Sequence, residues 1–165
     1  MTLSEFLSIW KIESESTQQI LDTLTDDSLN QAVTANDRTL GRIAWHIITT
    51  IPEMLSRTGL VLESIKENAP VPNNVKIIVD SYREANKAMV TAITNEWNDQ
   101  TLLEERDMYG QTWTIGATLD ALIAHQIHHR GQMTVLMRQA GLKVPGVMGP
   151  AREEWSQLDM QAPLV

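Results

Sequence analysis

The sequence predicts an all-α protein built as a four-helix bundle. Apolar residues recur every three to four positions through four long stretches, which is the period of a helix with one buried face. Prolines, glycines and asparagines are concentrated in the segments between those stretches. The chain has 165 residues, a length at which a single core buries roughly 70% of the unfolded surface. We therefore expect one domain over residues 1–165, ending in a short C-terminal tail.

The first two helices are predicted from their apolar stripes and their end signals. The first spans roughly Ser4 to Leu24, and Thr2 followed three residues later by Glu5 is typical of a capping box. The second spans roughly Thr39 to Thr58, with Gly59 placed to end it. Between the two helices, aspartates indicate a turn.

The second half of the chain contains two further predicted helices and two weaker segments. The third helix begins at Val75, after two prolines. Residues from Trp97 to Thr114 are polar and irregular, with a turn at Tyr109-Gly110. The fourth helix spans Ile115 to Ala140, and in the tail we expect one short helix from Gly149 through Trp155.

Composition excludes several classes of protein. A formal net charge of −8 argues against nucleic acid as a partner, because phosphate backbones are bound by clusters of Lys and Arg. There is no cysteine, so any metal ligands that the chain supplies must be histidines or carboxylates. No apolar run approaches the ~18 residues of a membrane span, and no basic segment opens the chain. We expect a cytoplasmic protein without a membrane partner.

The four histidines fall on only two of the predicted helices. His46 lies on the second, and His125, His128 and His129 lie on the fourth. Residues four apart share a helix face, so His125 and His129 can reach one metal ion from a single element. Helical-wheel positions place His129 inside the apolar stripe, His125 at its edge and His128 turned away, whereas the inward orientation of His46 is less secure. On spacing alone, a metal pair and two separately hydrogen-bonded core histidines are equally compatible.

Three other polar residues interrupt the apolar stripes near the middle of their helices: Glu13, Asn86 and Gln126. Together with the histidines they would form an internal polar layer, and we take them as candidates for supporting or orienting roles at a site. The alternative is a partly open bundle in which these side chains reach water. No Gly-rich phosphate loop or serine nucleophile motif accompanies them.

Trp45 has an unusual predicted position on the second helix. It projects away from that helix's own apolar stripe. Such a residue is buried either in a subunit interface or under a loop, and we favour the interface.

Several strings resemble the DinB/YfiT-like superfamily, in particular the damage-inducible DinB proteins. They are Ala-His-Gln-Ile-His-His-Arg-Gly-Gln at 124–132, Leu-Gly-Arg-Ile-Ala-Trp-His-Ile at 40–47 and Gly-Pro-Ala-Arg-Glu-Glu-Trp at 149–155. The resemblance implies a mirror variant of the up-and-down four-helix bundle, and a homodimer.

The resemblance also implies one divalent metal ion on three histidines, which map onto His46, His125 and His129. Three imidazoles suit zinc or nickel and leave coordination positions open. The implied function is a transferase that activates a low-molecular-weight thiol of the bacillithiol type toward an electrophile. From their positions in the apolar stripes, we expect Gln126 or Asn86 to orient the electrophile. A metal-dependent hydrolase and a noncatalytic metal-binding stress protein are the alternatives. An open cavity beside the metal would favour an enzyme, and closure of the site by a carboxylate such as Glu13 would favour the noncatalytic protein.

Overall fold

Four long helices make up most of the structure, a computed structural model that describes residues 1–62 and 69–164. Helix α1 spans Leu3–Asp22, α2 spans Leu40–Arg57, α3 spans Val75–Glu96 and α4 spans Ile115–Gln139. The predicted bounds of α1, α2 and α4 and the predicted start of α3 lie within two residues of the observed ones. No helix in the described ranges is long and apolar enough to cross a bilayer.

Side-chain caps explain why the helices begin where they do. The Thr2 hydroxyl accepts a hydrogen bond from the Glu5 backbone N–H, and the Glu5 carboxylate accepts one from the Thr2 N–H, which confirms the predicted capping box. The side chains of Thr39, Asn74 and Thr114 each accept from a backbone N–H in the first turn of α2, α3 and α4. These caps satisfy N–H groups that have no partner inside the helix.

The packing order of the helices determines which faces can carry a site. Helix α1 packs on α3 and α4, and α2 also packs on α3 and α4. Helix α4 therefore has two buried faces, one toward α1 and one toward α2. The largest fully buried side chains come from α1, α2, α3 and the segment after α2: Phe6, Trp10, Ile20, Leu21, Leu40, Ile47, Ile48, Ile51, Leu55, Leu60, Ile78 and Tyr82.

The segment expected to be irregular before α4 contains a β-hairpin. Strands β1 (Glu105–Met108) and β2 (Gln111–Thr114) pair antiparallel, with Glu105 opposite Thr114. The turn at Tyr109-Gly110 is confirmed, and both of its residues have positive φ, 59° and 79°, as a two-residue hairpin turn of type I′ requires. The strands were not predicted because each has four residues and most of them are polar.

The prediction of a short helix from Gly149 through Trp155 is wrong. The tail instead has one 3-10 turn, Trp155–Leu158. Side chains hold the preceding segment in a non-helical shape, since the Glu154 carboxylate accepts from the N–H groups of Gly146 and Ala151, both at 2.9 Å. Arg138 of α4 donates two hydrogen bonds to the neighbouring Glu153, which anchors the tail to the bundle.

The tryptophan that projects away from the core stripe of α2 is covered by the chain itself. Trp45 is 4% exposed, and its indole N–H donates to the Ala69 carbonyl at 2.9 Å. The interpretation of Trp45 as an interface residue is therefore wrong, and the loop alternative is correct.

Candidate metal centre

Three histidines from two helices meet where α2 packs against α4. His46 of α2 and His125 of α4 bring their Nε2 atoms within 3.1 Å of each other. His129, one turn further along α4, completes the group, and one ring nitrogen from each of the three residues lies within 4.8 Å of the others. The i,i+4 spacing on α4 and the contact between the two helices thus bring the three imidazoles together.

The burial of the histidines agrees with their predicted positions on the helical wheel. His129 is buried, His125 is half-buried and His128 is exposed. His46 is half-buried and faces His125, an orientation that its position on α2 alone left open. His128 lies outside the group of three, although its ring packs edge-on against His129.

The spacing of two of the three nitrogens fits a divalent cation, and the nitrogen of His129 lies within 4.8 Å of both. In tetrahedral zinc sites the bond from metal to imidazole nitrogen is about 2.0–2.1 Å, so neighbouring ligand nitrogens lie about 3.3 Å apart. The distance between the Nε2 atoms of His46 and His125 is 3.1 Å, close to that spacing. Three protein ligands also leave at least one coordination position for an exogenous group.

The imidazoles have the protonation state that metal binding requires. Burial lowers the pKa of His46 and of His125 to about 4, and the neighbouring His129 adds to both shifts. Burial also lowers the pKa of His129. All three rings are therefore neutral at pH 7, and a neutral imidazole has the lone pair that a metal ion needs.

Two polar side chains, those of Gln132 and Thr50, contact ring nitrogens of the histidines. The Nδ1 atom of His129 lies 2.8 Å from the Gln132 Oε1 atom. Because that oxygen can only accept, Nδ1 carries the hydrogen and Nε2 keeps its lone pair. The Gln132 amide nitrogen lies 3.1 Å from Nε2 of His128, and Thr50 Oγ1 lies 3.4 Å from Nδ1 of His46. Such contacts fix the ring orientation of metal-binding histidines.

The three polar residues expected to support the site lie elsewhere. The Gln126 carbonyl accepts from the Tyr82 hydroxyl at 2.5 Å, and the Asn86 carbonyl accepts from the Trp10 indole at 2.6 Å. Glu13 is buried and pairs with Arg130. The hydrogen bonds of these residues go to partners on α1, α3 and α4, and the Gln126 amide nitrogen is buried without a hydrogen-bond partner among the described residues. Neither a polar layer with the histidines nor closure of the site by Glu13 is therefore observed. Glu13 and Gln126 do not reach water either, since they are 8% and 1% exposed.

A cavity adjoins the histidine cluster. It has a volume of about 500 Å³ and contacts His129 and Gln132 of α4. The remaining wall comes from the segment before α2, from α2 and from α4: Val33, Asp37, Arg38, Ile43, Val135 and Leu136. This is the open space that would distinguish an enzyme from a closed metal scaffold.

Sequence reasoning missed Gln132, Arg38 and Arg130. Gln132 lies three residues after His129, a spacing that allows contact on one helix face and could have identified it. Nothing in the local sequence indicates Arg38, because its position depends on how the segment before α2 packs against α4. Arg130 interrupts the other buried face of α4, which only the packing of α1 reveals.

Replacing Gln132 by alanine is expected to weaken zinc binding about 10- to 100-fold, the effect typical of removing a group that orients a metal-binding histidine. The matched control is Gln126→Ala, which removes a glutamine on the same helix that contacts Tyr82 instead. Competition against a chromophoric chelator measures both affinities. An equal loss in the two variants would contradict the assignment of Gln132.

The metal-free protein is expected to lose stability as the pH falls from 7 toward 4. The folded-state pKa of His125 is about 4 and its ordinary value is 6.5. In this window the unfolded chain binds more protons than the folded one, so the free energy of unfolding decreases with decreasing pH. The His125→Gln variant lacks this contribution and should lose less stability over the same window. Urea unfolding in EDTA tests this, and identical pH dependence in both proteins would contradict it.

Comparisons with known proteins agree with the fold and cover nearly all of the chain. A model of the DinB family matches residues 1–161. The uncharacterized protein YrdA of Bacillus subtilis strain 168 is 49% identical over 162 residues, which cover 98% of this chain and 97% of that protein.

Two solved structures extend the comparison to three dimensions. A DinB-like protein from Bacillus cereus ATCC 10987 has a TM-score of 0.85 and 52% identity, covering 88% of this chain and 97% of its own. The DinB-like protein YjoA of Bacillus subtilis has a TM-score of 0.67 at 17% identity, covering 87% of this chain and 97% of its own, and shows a shared fold alone. The family model matches residues 1–161, and the YrdA protein is 49% identical over almost the full length of the chain. This chain therefore belongs to the DinB family.

Proposed function

We propose that this protein is a metal-dependent transferase that activates a low-molecular-weight thiol, of the bacillithiol type, for transfer to an electrophile. His46, His125 and His129 would hold one divalent cation, zinc or nickel. The observation that carries the proposal is the convergence of three neutral imidazoles beside a cavity of about 500 Å³. That volume is within the range of about 300–1,000 Å³ found for small-molecule sites.

A divalent cation at these histidines would lower the pKa of a thiol that reaches it from about 8.5 to below neutrality. The chain has no cysteine, so the sulfur must enter with the substrate. Gln132 keeps the His129 ring in position through its Oε1 atom. The apolar side chains Val33, Ile43 and Leu136 line the adjoining cavity and would contact an apolar part of a substrate. These contacts support a role of the cavity wall in binding and orienting the substrates. From the sequence, that role is expected of Gln126 and Asn86.

Hydrolysis is the second candidate, because the same cation would lower the pKa of a water molecule as well as that of a thiol. The open cavity beside His129 supports both reactions over a noncatalytic metal-binding protein. The proposal further includes a cytoplasmic, damage-inducible homodimer, supported by the family resemblance. It excludes nucleic acid as a partner, supported by the net charge of −8.

The test is turnover by zinc- and nickel-loaded protein against a panel of small thiols, bacillithiol included, paired with electrophiles such as 1-chloro-2,4-dinitrobenzene. The expected result is metal-dependent loss of thiol that the His125→Ala variant lacks and the His128→Ala variant keeps. A parallel panel of nitrophenyl esters detects hydrolysis. If only the esters react, hydrolysis replaces thiol transfer. If neither panel reacts faster than the His125→Ala variant, the protein is a noncatalytic metal-binding protein.

A further inference from the structure

The cavity beside the histidines has an apolar wall and a charged edge. Val33, Ile43 and Leu136 supply aliphatic surface, and Val135, which is 56% exposed, extends it toward the solvent. Asp37 and Arg38, from the segment before α2, supply the charged edge. A ligand that fills this space therefore meets hydrocarbon along most of its length and a charge at one side.

Arg38 has no acidic partner within residues 1–62 and 69–164. The ion pairs of the described residues engage other cations, such as Arg57, Arg130 and Arg138. Asp37, its neighbour in the cavity wall, is already engaged, because its Oδ2 atom accepts from the Thr34 N–H at 3.0 Å and from the Thr34 hydroxyl at 2.7 Å. The guanidinium is therefore a cationic group of this wall that has no ion-pair partner among the described residues.

The charge of Arg38 also acts on the histidine cluster. It contributes to the lowered pKa of all three clustered histidines. Arg42, one helical turn further along, contributes to the pKa of His46 alone and does not line the cavity. Arg38 lines the same cavity as His129, while Arg42 provides a matched arginine that does not line it.

We propose that Arg38 determines substrate specificity by binding the carboxylate of a small aliphatic carboxylic acid whose hydrocarbon part packs on the apolar wall. This inference rests on the proposed function, because it describes a substrate of the same site. A guanidinium matches a carboxylate through two parallel hydrogen bonds. The carboxylate of Asp37 in the same wall favours a singly charged ligand over a phosphate dianion, since like charges repel.

The test compares three probes that share the isopentyl group: 4-methylpentanoate, 4-methylpentanamide and isopentylamine. Their affinities are measured by NMR titration of the zinc-loaded full chain and of the same protein in EDTA. The proteins are the wild type, Arg38→Gln and Arg42→Gln, which carry the same change of charge inside and outside the cavity. In the wild type we expect the carboxylate to bind at least about tenfold more tightly than the amide, as for a charge-assisted hydrogen bond. Arg38→Gln should abolish that preference, and Arg42→Gln should retain it.

Three results would overturn the proposal. They are equal affinity of the wild type for the carboxylate and the amide, an equal loss of preference in both arginine variants, and tighter binding of the amine. A preference that survives Arg38→Gln in the zinc-loaded protein would also overturn it, because the carboxylate would then be held by the metal ion. The EDTA measurements separate this inference from the proposed function. A preference that depends on Arg38 can persist without turnover, and turnover can occur without the preference.

Discussion

Replacing Arg130 by methionine is expected to lower the free energy of unfolding by about 3–5 kcal/mol, the cost of leaving a buried charge without its partner. The Arg130 side chain is 3% exposed, and its guanidinium lies 2.6 Å from the carboxylate of Glu13, whose side chain is 10% exposed. The same guanidinium donates to the Glu13 carbonyl at 2.9 Å and to the Thr17 hydroxyl at 3.3 Å. This ion pair joins α4 to α1, on the face of α4 that packs against α1 and not against α2.

Urea unfolding of three variants measures the effect. Glu13→Leu combined with Arg130→Met removes both charges and should recover much of the stability, because an apolar pair of similar volume does not leave a charge buried. Arg83→Met breaks exposed pairs with Asp22 and Asp80 and should cost less than about 1 kcal/mol. A loss below about 1 kcal/mol for Arg130→Met, or a double variant as unstable as the single one, would contradict the assignment.

Replacing His129 by alanine is expected to reduce bound zinc from about one ion per chain to nearly none after dialysis, because two imidazoles on a partly exposed site hold zinc weakly. The matched control is His128→Ala, which removes the adjacent histidine but leaves the group of three intact. Elemental analysis gives the stoichiometry, and circular dichroism confirms that each variant is folded. Equal zinc content in wild type and His129→Ala would remove His129 from the metal centre.

The helices could be predicted because their signals are local. The apolar residues recur within each helix, and the capping residues lie at its first turn, as Thr2 and Glu5 do at the start of α1. The hairpin could not be predicted in the same way. Residues such as Glu105, Arg106 and Asp107 offer no apolar alternation, and the pairing is made by backbone hydrogen bonds between two short strands.

The histidine cluster was predictable in part. The spacing of His125 and His129 indicates one shared face of α4, which is a local property. The orientation of His46 depends on the packing of α2 against α4. Within the sequence, only the family resemblance indicates that His46 faces the other two histidines. Periodicity cannot show that α4 buries two faces, so it could not separate the histidine face from the face that carries Arg130.

For the polar residues in the apolar stripes, too, the sequence indicates burial but does not identify the binding partner. Glu13 and Gln126 are buried, as their positions in the stripes indicate, but their partners come from other helices. A side chain's position on its own helix identifies the face that it occupies, and the neighbouring helix decides what it binds. The indole of Trp45 is a further case, since Ala69, its hydrogen-bond partner, is 24 residues away along the chain.

We propose that His46, His125 and His129 together hold one divalent cation. The most direct measurement is the anomalous difference map of a crystal of zinc-loaded protein, collected at the zinc absorption edge. We predict one peak per chain, within about 2.1 Å of one ring nitrogen of each of these three histidines. A peak at other residues, a peak contacting fewer than three of these histidines, or no peak at this cluster would contradict the claim.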